Sequence, residues 1–537
     1  MNRLKRILSI FLCLLTIVSG LVSANIIVFA EVDEQYQETV FSVGDVNSDG
    51  NIDVTDALTM SKVLLNTKKS YMDYDLADLN GDTACDIKDY LLLQKKISDQ
   101  SIKINNERFS KDDKDITNEL VDLGLNNFDY KYNDLNYSST VSRNPYDMIS
   151  VRNMVMVSGG NYQDNTGPVQ IRSYTRAGDE AGSSGLLDTE QVNRFYKYDD
   201  RPYAVAIDPK TWQAASIYYM YPKLTYWTSR TDVINNCIHC YDMAKYNGKY
   251  FFCGSAVSYD SNYNAYSGKN VEMTKATVYL FTGDNISSSS KNDYKEVDLV
   301  YKDGTVIDYT SNLVQKVEKK DSGDYYYYYT TGVPRIYDLY ELNGELYALY
   351  YNQYSNLYED EDKNYNFNGF YKYDEAKNQF IFDSSLDIQP IIDRFNAQQD
   401  AEKIQHDFEW KGTHYFIMEG LFSTKDLKSF TDINLPNYED YKTHDAIVRS
   451  GKVYLLASKE KSNGTYTNVV LETEDFKTYR PILHFSSKAF ARSFEFNNGA
   501  FFFGLGAHLV NTNRDIYPEK YAINKECGRI YRYIYYK

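Results

Sequence analysis

Cysteine is scarce in this chain, and its scarcity excludes one class of fold. The 537 residues contain 6 cysteines, of which Cys13 lies in an apolar segment at the N-terminus. The others form an odd and widely spaced set: Cys85, Cys237, Cys240, Cys253 and Cys527. Such a set does not make a disulfide framework, so stability has to come from burial. The segment Cys237-Ile-His239-Cys240 offers half a zinc site, but no second Cys/His pair lies at ligand spacing.

Long apolar runs are missing from the sequence after residue 30. The single long run begins at Ile7, behind Arg3, Lys5 and Arg6, and ends near Val28-Phe-Ala30, where small residues suit a signal peptidase. We predict that residues 1–30 are a signal peptide and that the protein is secreted, with no membrane segment after cleavage. Cleavage after Ala24 and an uncleaved membrane anchor are the alternatives.

A surplus of positive charge is also missing. The chain has 58 Lys and Arg against 75 Asp and Glu, a net charge of -17. This charge repels a phosphate backbone and an anionic lipid surface, so we expect neither as a partner. Tryptophan is rare, with 3 copies against 54 tyrosines. Tyrosine suits both strands and sugar-stacking surfaces, and its abundance alone does not choose between them.

An acidic loop of twelve positions occurs twice near the N-terminus, 33 residues apart. In EF-hand-type loops, oxygens at positions 1, 3, 5, 7, 9 and 12 converge on calcium at about 2.3–2.6 Å, and glycine at position 6 permits the turn. The first loop has Gly50 there; the second has Thr83, with Gly81 two residues earlier to relieve the turn. The predicted ligands are Asp45, Asn47, Asp49, Asn51, Asp53 and Asp56, and in the second loop Asp78, Asn80, Asp82, Ala84, Asp86 and Asp89, with Asn51 and Ala84 acting through main-chain carbonyls.

Each loop continues into an amphipathic helix, Val54 to about Leu65 and Ile87 to about Ile97. Two tandem loop-helix units that end in Asp, with no helix before the first, resemble a type I dockerin over residues 41–99. The resemblance implies that two calcium ions fold the module and that its helices dock on a cohesin domain of a scaffold protein, as in cellulosomes. In that family loop positions 10 and 11 help to choose the partner; here they are Val54, Thr55, Ile87 and Lys88.

The remainder of the chain has the pattern of an all-β domain. Residues 100–117 are polar and charged and are predicted to be a linker. From residue 118 to 537, short alternating or apolar runs are separated by Asn, Gly, Asp and Ser clusters. The fold class predicted is therefore a multidomain protein: a small α dockerin with two EF-hand-like calcium loops, followed by an all-β domain.

A hairpin unit recurs within this domain. A polar pair precedes a strand of about five residues, a glycine turn and a second apolar strand. The copies begin at Tyr241-Asp242, Tyr337-Asp338, His406-Asp407, His444-Asp445 and Arg492-Ser493, and a divergent copy begins at Arg152-Asn153.

A second repeated signature is a turn with Asp followed four residues later by an aromatic residue. Thr424–Phe430 and Thr473–Tyr479 match position by position, and Asp208–Trp212 is similar. The carboxylate is expected to cap turn amides while the ring fills the gap between sheets. These turns resemble the degenerate Asp-boxes of sialidase-like β-propellers. We predict a β-propeller of five to seven blades, with a β-sandwich or β-helix as the alternative.

In a propeller the polar pairs gather carboxylates around one mouth of the central channel. Glycoside hydrolysis needs two carboxyl groups, about 5–5.5 Å apart for retention or 6.5–9.5 Å for inversion. The same carboxylates can instead hold the amides of the neighbouring blade, in which case residues that break the repeat, such as Glu495, become the catalytic candidates. The candidate catalytic residues are Glu495, Asp407, Asp445, His406 and His444.

Two functions remain open from the sequence. One is a secreted hydrolase or lyase that acts on plant cell-wall polysaccharide and is anchored by its dockerin. The other is a noncatalytic carbohydrate-binding or assembly propeller on the same anchor.

Overall fold

The protein is described by a computed structural model. The described residues are 43–47, 51–65, 72, 74–80, 84–99, 101, 109, 113–126, 144–151, 154–160, 169–183, 192–198, 201–207, 214–220, 227–259, 272–308, 310–312, 314–319, 325–329, 334–351, 367–397, 406–418, 420–449, 451–506 and 526–536. The predicted signal peptide lies outside them. So do calcium-loop residues Asp49 and Asp82 and the turn at residues 208–212.

The loop-helix module (residues 43–99) contains helices α1 (Val54–Leu64), α2 (Tyr74–Ala77) and α3 (Ile87–Ser98). The side chains that α1 and α3 turn inward join those of the loops in a core of their own, which includes Val46, Met60, Leu79 and Leu93. The two predicted helices are confirmed.

Both long helices of the module begin in the same way. Asp53 accepts a hydrogen bond from Thr55 N at 2.7 Å, and Asp56 Oδ2 accepts one from Asp53 N at 2.8 Å. Asp86 and Asp89 make the equivalent bonds at the start of α3. Each loop thus ends in a capping box, which satisfies amides that a helix N-terminus leaves without intrahelical acceptors.

Strands fill the rest of the described chain. The first two come from the N-terminal side of the domain, β1 (Lys114–Asp115) and β2 (Val121–Leu125). Two four-stranded sheets follow. They comprise β3 (Met148–Val151), β4 (Met154–Val157), β5 (Arg172–Thr175) and β6 (Glu180–Ser183), then β7 (Tyr196–Tyr198), β8 (Arg201–Ile207), β9 (Ala214–Met220) and β10 (Trp227–Asn235).

The middle of the domain is a nine-stranded sheet that divides into two blades, because β14 and β21 pair in parallel at their outer edges. One blade comprises β11 (Cys237–Tyr246), β12 (Lys249–Tyr259), β13 (Glu272–Phe281) and β14 (Tyr294–Val300); β15 (Thr310–Asn312) pairs with β13. A separate hairpin follows, β16 (Val314–Lys319) and β17 (Tyr325–Tyr329). The next blade comprises β18 (Arg335–Leu342), β19 (Glu345–Tyr351), β20 (Gly369–Asp374) and β21 (Gln379–Phe382).

Three further sheets complete the described strands. Helix α4 (Gln389–Ala397) precedes them. They comprise β22 (His406–Trp410), β23 (Thr413–Ile417), β24 (Leu421–Thr424) and β25 (Phe430–Ile433); β26 (Lys442–Arg449), β27 (Lys452–Glu460), β28 (Tyr466–Thr473) and β29 (Arg480–Ser487); and β30 (Ala491–Asn497), β31 (Ala500–Leu505) and β32 (Arg529–Ile534), to which β2 adds the fourth strand.

These sheets form a closed ring of seven blades in the described part of the chain, numbered 1 to 7 in chain order from β3–β6 to β30–β32 with β2. Seven apolar clusters each join two successive blades, and the last joins blade 7 to blade 1 through residues such as Phe502 and Val157. A blade cannot bury both faces alone, so each one is covered by its two neighbours. The β-propeller is confirmed, and its blade number lies at the upper end of the predicted range.

The predicted linker boundary at residue 117 is wrong. Strand β1 pairs in parallel with β29, and Ile116 is fully buried. Phe109 is buried among Tyr454, Phe496 and other aromatic rings. A short edge strand with charged, outward side chains has the composition of a linker. In this segment only the apolar residues Phe109 and Ile116 indicate that it packs against the propeller.

Turn chemistry explains most of the hairpins. Asn247-Gly248 and Asn343-Gly344 have positive φ at both positions, as a two-residue hairpin turn with the right twist requires. The divergent copy predicted at Arg152-Asn153 begins outside the described residues. The polar pair of blade 1 is Tyr146-Asp147, directly ahead of β3.

The two matching Asp turns, Thr424–Phe430 and Thr473–Tyr479, have the same geometry. Asp475 Oδ1 accepts hydrogen bonds from Lys477 N at 2.8 Å and Thr478 N at 2.9 Å, and Asp426 makes the equivalent pair. The residue after each Asp, rather than the later aromatic, is the more buried: Leu427 and Phe476 point inward with positive φ.

Candidate functional site

A ring of buried carboxylates surrounds the axis of the propeller, and most of them link neighbouring blades. Asp147 accepts a hydrogen bond from Phe195 N of the next blade at 2.7 Å, and Asp242 accepts one from Leu339 N at 2.8 Å. Asp445 accepts one from Phe494 N at 2.9 Å. These hydrogen bonds link the inner edges of adjacent blades.

Glu495 takes part in the same system. It lies two residues beyond Ser493 of the last polar pair, and its longer side chain accepts a hydrogen bond from Ser150 N of blade 1 at 2.9 Å. Its other oxygen accepts one from Phe496 N at 2.8 Å. Glu495 therefore departs from the repeated position in the sequence, yet it makes the same kind of bond to the next blade as the repeated Asp residues do.

Blade 2 supplies a cation instead of a carboxylate. Arg194 Nη1 lies 3.6 Å from Asp338 Oδ1 and 4.0 Å from Asp242 Oδ1, and Arg194 also forms an ion pair with Asp407. Its guanidinium donates to the main-chain oxygen of Asp407 at 2.8 Å. One arginine therefore connects the carboxylates of blades 3, 4 and 5.

Electrostatics in this half of the ring follow from Arg194. Burial by itself lowers the pKa of Arg194, but the charges of Asp407, Asp338 and Asp242 outweigh it and raise that pKa well above its ordinary value. Burial alone raises the pKa of Asp407, yet Arg194 and the adjacent His414 hold it well below its usual range. His414 Nε2 lies 2.8 Å from Asp407 Oδ2. Asp407 is therefore ionised and bound on both sides. Burial and the nearby charge of Asp242 raise the pKa of Asp338 well above its ordinary value in spite of Arg194.

The carboxyl groups in the opposite half of the ring also have raised pKa values. Burial raises the pKa of Asp147 to about 6 and that of Glu495 to about 7. Burial and the nearby charge of Asp147 raise the pKa of Asp445 well above its ordinary value. His406 Nδ1 lies 3.6 Å from Asp445 Oδ1, and burial lowers the pKa of His406 to about 4, so this histidine is neutral at pH 7.

The structure brings together most of the sequence candidates, with different surroundings. Asp407 lies in the Arg194 half, whereas His406, Asp445 and Glu495 lie in the other. His444 is half-buried, and its ring stacks on Phe490 at 4.5 Å. Sequence reasoning missed Arg194 and Asp147, because neither belongs to a recognisable copy of the hairpin repeat. A basic residue just before the strand of an otherwise acidic series is the signal that could have identified Arg194.

The two acidic loops of the loop-helix module share one geometry. Asp45, Asp56, Asp78 and Asp89, at positions 1 and 12, are all buried. Asp56 Oδ1 accepts a hydrogen bond from Asn47 N at 3.1 Å, and Asp89 Oδ1 accepts one from Asn80 N at 3.0 Å. Among the described residues no three His, Cys, Asp or Glu side chains converge on a metal position, and position 5 of both loops lies outside that set. Buried position-1 and position-12 carboxylates fit a hard cation.

The same module exposes apolar side chains at matching positions of its two long helices. Val54 and Leu58 of α1 are 54% and 52% exposed, and Ile87 and Leu91 of α3 are 60% and 51% exposed. The adjacent Thr55 and Lys88, which the sequence analysis predicts to help choose the partner, are exposed too. Large exposed apolar side chains are otherwise limited, in the described residues, to Leu65, Val121 and Val306. Such paired patches mark interaction surfaces.

Fold and site together define a β-propeller protein that carries a small module of two acidic loops and two long helices. Residues 43–98 match the family model of the dockerin type I domain. The N-terminal module is thus a type I dockerin, as the sequence predicted. None of the described helices has both the length and the apolar content needed to cross a membrane.

Similar solved structures are known for the propeller. A GH32 beta-fructofuranosidase from Bombyx mori is 11% identical, with 69% of this chain and 86% of that chain covered and a TM-score of 0.30. An alpha-L-arabinofuranosidase (GH43) from Clostridium thermocellum is 12% identical, with 45% and 73% covered and a TM-score of 0.21. BamB from Moraxella catarrhalis is 7% identical, with 74% and 87% covered and a TM-score of 0.28. Comparison of the sequence with curated proteins gives no match. No residue role is carried over at these values.

Proposed function

We propose that this protein is a secreted component of a cellulosome-type assembly that docks through its dockerin on a cohesin domain of a scaffold protein. The observation that carries the proposal is the pair of matching exposed apolar patches, Val54 with Leu58 and Ile87 with Leu91. Calcium, one ion in each loop, is the cofactor that holds the two helices in place. Export by the predicted signal peptide places the module where such scaffolds operate.

The docking proposal is tested by calorimetry of the full mature chain with a cohesin from the same organism, in calcium. Leu58→Asp and Leu91→Asp, singly and together, place a charge in each patch. We expect the double variant to bind at least about tenfold more weakly, because buried apolar contacts dominate such interfaces. Val306→Asp, at an exposed apolar residue of the propeller, is the matched control. Unchanged affinity of the double variant contradicts the proposal.

For the propeller we propose a noncatalytic role in binding plant polysaccharide. Its support is the use of the ring carboxylates: Asp147, Asp242, Asp445 and Glu495 hold amides of the next blade, and Asp407 is bound by Arg194 and His414. A group bound on both sides is poorly placed to attack or to protonate a glycosidic bond. Polysaccharide binding by the mature chain, without release of reducing sugar or unsaturated product, is the expected result.

A glycoside hydrolase or lyase remains the second candidate, favoured by one observation. Glu495 and Asp147 have pKa values raised to about 7 and about 6, which is the range of a general acid at neutral pH. Release of sugar by the wild-type protein that Glu495→Gln abolishes, with the melting temperature unchanged, identifies this function. His406, His444, Asp407 and Asp445 are tested in the same assay.

A further inference from the structure

A histidine on the outer strand of blade 6 lies against the segment by which the chain enters the propeller. Strand β1 runs parallel to β29, with Asp115 opposite His484 in the register. Ile116 N donates a hydrogen bond to His484 O at 2.9 Å, and Ser486 N donates one to Thr117 Oγ1 at 3.0 Å. The main chain of β29 and the side chain of its histidine thus contact the same short segment.

Both ring nitrogens of His484 face carboxylates of this segment. Nδ1 lies 3.0 Å from each oxygen of Asp113, and Nε2 lies 3.8 Å from Asp115 Oδ2. A neutral imidazole carries one N–H, so it can donate to only one of the two carboxylates and presents a lone pair to the other. The doubly protonated ring donates from both nitrogens and carries the opposite charge. The arrangement is therefore that of an imidazolium between two carboxylates.

Asp115 keeps its charge over the range in which a histidine titrates. Thr117 donates to its Oδ1 twice, from Oγ1 at 2.6 Å and from N at 2.9 Å, and these bonds lower the pKa of Asp115. The nearby charges of His484 and Lys461 lower that pKa further. The imidazole, and not Asp115, is therefore the group of this pair whose charge changes near neutral pH.

Three other side chains near this contact keep one charge state over the same range. Burial and the charge of Asp113 raise the pKa of Tyr438, so its phenol is neutral. The hydrogen bond with Tyr533 raises the pKa of Lys114, so its ammonium group stays charged. The neighbouring strand β28 places the apolar Val469 opposite the histidine. The pH dependence of the contact therefore comes from the imidazole.

We propose that protonation of His484 works as a latch that holds strand β1 on blade 6, tightly in mild acid and loosely above neutral pH. The protonated ring binds Asp113 and Asp115 together, and this contribution is complete below the pH at which an ordinary imidazole titrates, about 6.5. It is lost as the ring deprotonates, because the neutral form keeps one donor and no charge. Phe109 anchors the same segment by apolar burial, which pH does not change. The latch therefore controls how firmly the chain that comes from the dockerin is held beyond that anchor.

Hydrogen exchange of the Ile116 amide in the full mature chain measures the opening, because this amide is bonded to His484 O. Its protection factor, which corrects for the intrinsic pH dependence of exchange, should be about fivefold higher at about pH 5.5 than at about pH 8, as expected for ion pairs between partly exposed side chains. Amides of β27, in the middle of the same blade, are the internal reference, because carboxyl groups at the propeller axis also titrate in this range.

Substitutions at the histidine separate its charge from its packing. His484→Gln cannot be protonated and should give the lower protection at both pH values. His484→Arg is charged at both and should give the higher protection at both. Asp113→Asn combined with Asp115→Asn keeps the histidine and should also remove the pH dependence. His444→Gln, at a half-buried histidine on another strand of blade 6, is the matched control and should leave the pH dependence unchanged.

Equal protection of Ile116 at the two pH values in the wild-type protein overturns the inference. A pH dependence that the β27 amides share to the same extent overturns it too, since the change is then global. So does a dependence that persists in folded His484→Gln. If that variant does not fold, the double Asp variant decides in the same way: persistence of the dependence overturns the latch, and its loss supports it.

Discussion

Arg194 explains how a ring of carboxylates can exist at the axis of this propeller. Blades 1 and 3 to 7 each contribute one acidic side chain, and like charges that are close and buried repel. Blade 2 places arginine at the equivalent position, where it lies against Asp242 and Asp338 and forms an ion pair with Asp407. Arg194, which departs from the repeat, therefore reduces the repulsion among the carboxylates that the other blades contribute.

Replacing Arg194 by Gln should destabilise the propeller by about 3 kcal/mol, near the lower end for a buried pair that loses one partner. The lower end applies because the Arg194 side chain is 24% exposed. The difference in stability between the wild-type protein and the variant should shrink as the pH falls, since protonation removes the charges left unpaired on the carboxylates. Melting curves at several pH values check both statements. Arg201→Gln, on the surface of the same blade, is the control, and an equal loss in the two variants contradicts the role of Arg194.

Part of the carboxylate ring was predictable from the sequence, and part was not. Asp242, Asp338, Asp407 and Asp445 each precede a strand and a glycine turn, so local chemistry identifies them. Arg194 is not part of such a local pattern. Its partners lie on three later blades, and only closure of the ring brings them within reach. The hydrogen bond that Ser150 N donates to Glu495 depends on the same closure.

At the scale of elements, the segment that the sequence predicts to be a linker contributes to the propeller. Strand β1 extends blade 6, and strand β2 completes blade 7. Neither has the alternation of a longer strand, and β1 has two residues, both charged. Sequence patterns identify strands by their buried side chains, so edge strands held mainly by main-chain hydrogen bonds escape them. The Asn-Gly hairpins, in contrast, can be recognised from their turn residues alone.

Phe109 is the anchor of this segment. Phe109→Ala should lower the free energy of unfolding of the propeller by about 3–5 kcal/mol, the usual range for truncating a buried phenylalanine. Residues 109–117 should also become accessible to protease well below the melting temperature. Val306→Ala, at an exposed apolar residue, should change neither the melting curve nor the digestion pattern. Resistance to cleavage in Phe109→Ala contradicts the anchoring role.

At the scale of the whole molecule, the dockerin and the propeller have separate cores. The dockerin core draws on its loops and helices, and each propeller cluster draws on two blades. We expect a small module with buried carboxylates at positions 1 and 12 of both loops to depend on calcium for its stability, and the propeller to depend on apolar burial.

Removing calcium should therefore unfold one part of the protein and leave the other. We expect a chelator to abolish the helical contribution of residues 43–99 to circular dichroism, while the melting transition of the propeller stays within about 1 °C, as expected for uncoupled units. Added calcium should restore the helices; magnesium at the same concentration, which demands a tighter octahedral geometry, is the control. A propeller transition that shifts together with the helical signal contradicts the separation.

The order of Phe109, β1 and β2 along the chain has a mechanical consequence. In the proposed function the dockerin is held by a cohesin and the propeller by polysaccharide, so that tension would enter the propeller from its N-terminal side. It reaches Phe109 and β1 before it reaches β2, the strand that closes the seven-bladed ring. The contacts of Phe109 with its aromatic neighbours and the pairing of β1 with β29 would thus break first. The pairing of β2 with β32, which closes the ring, would be loaded only afterwards.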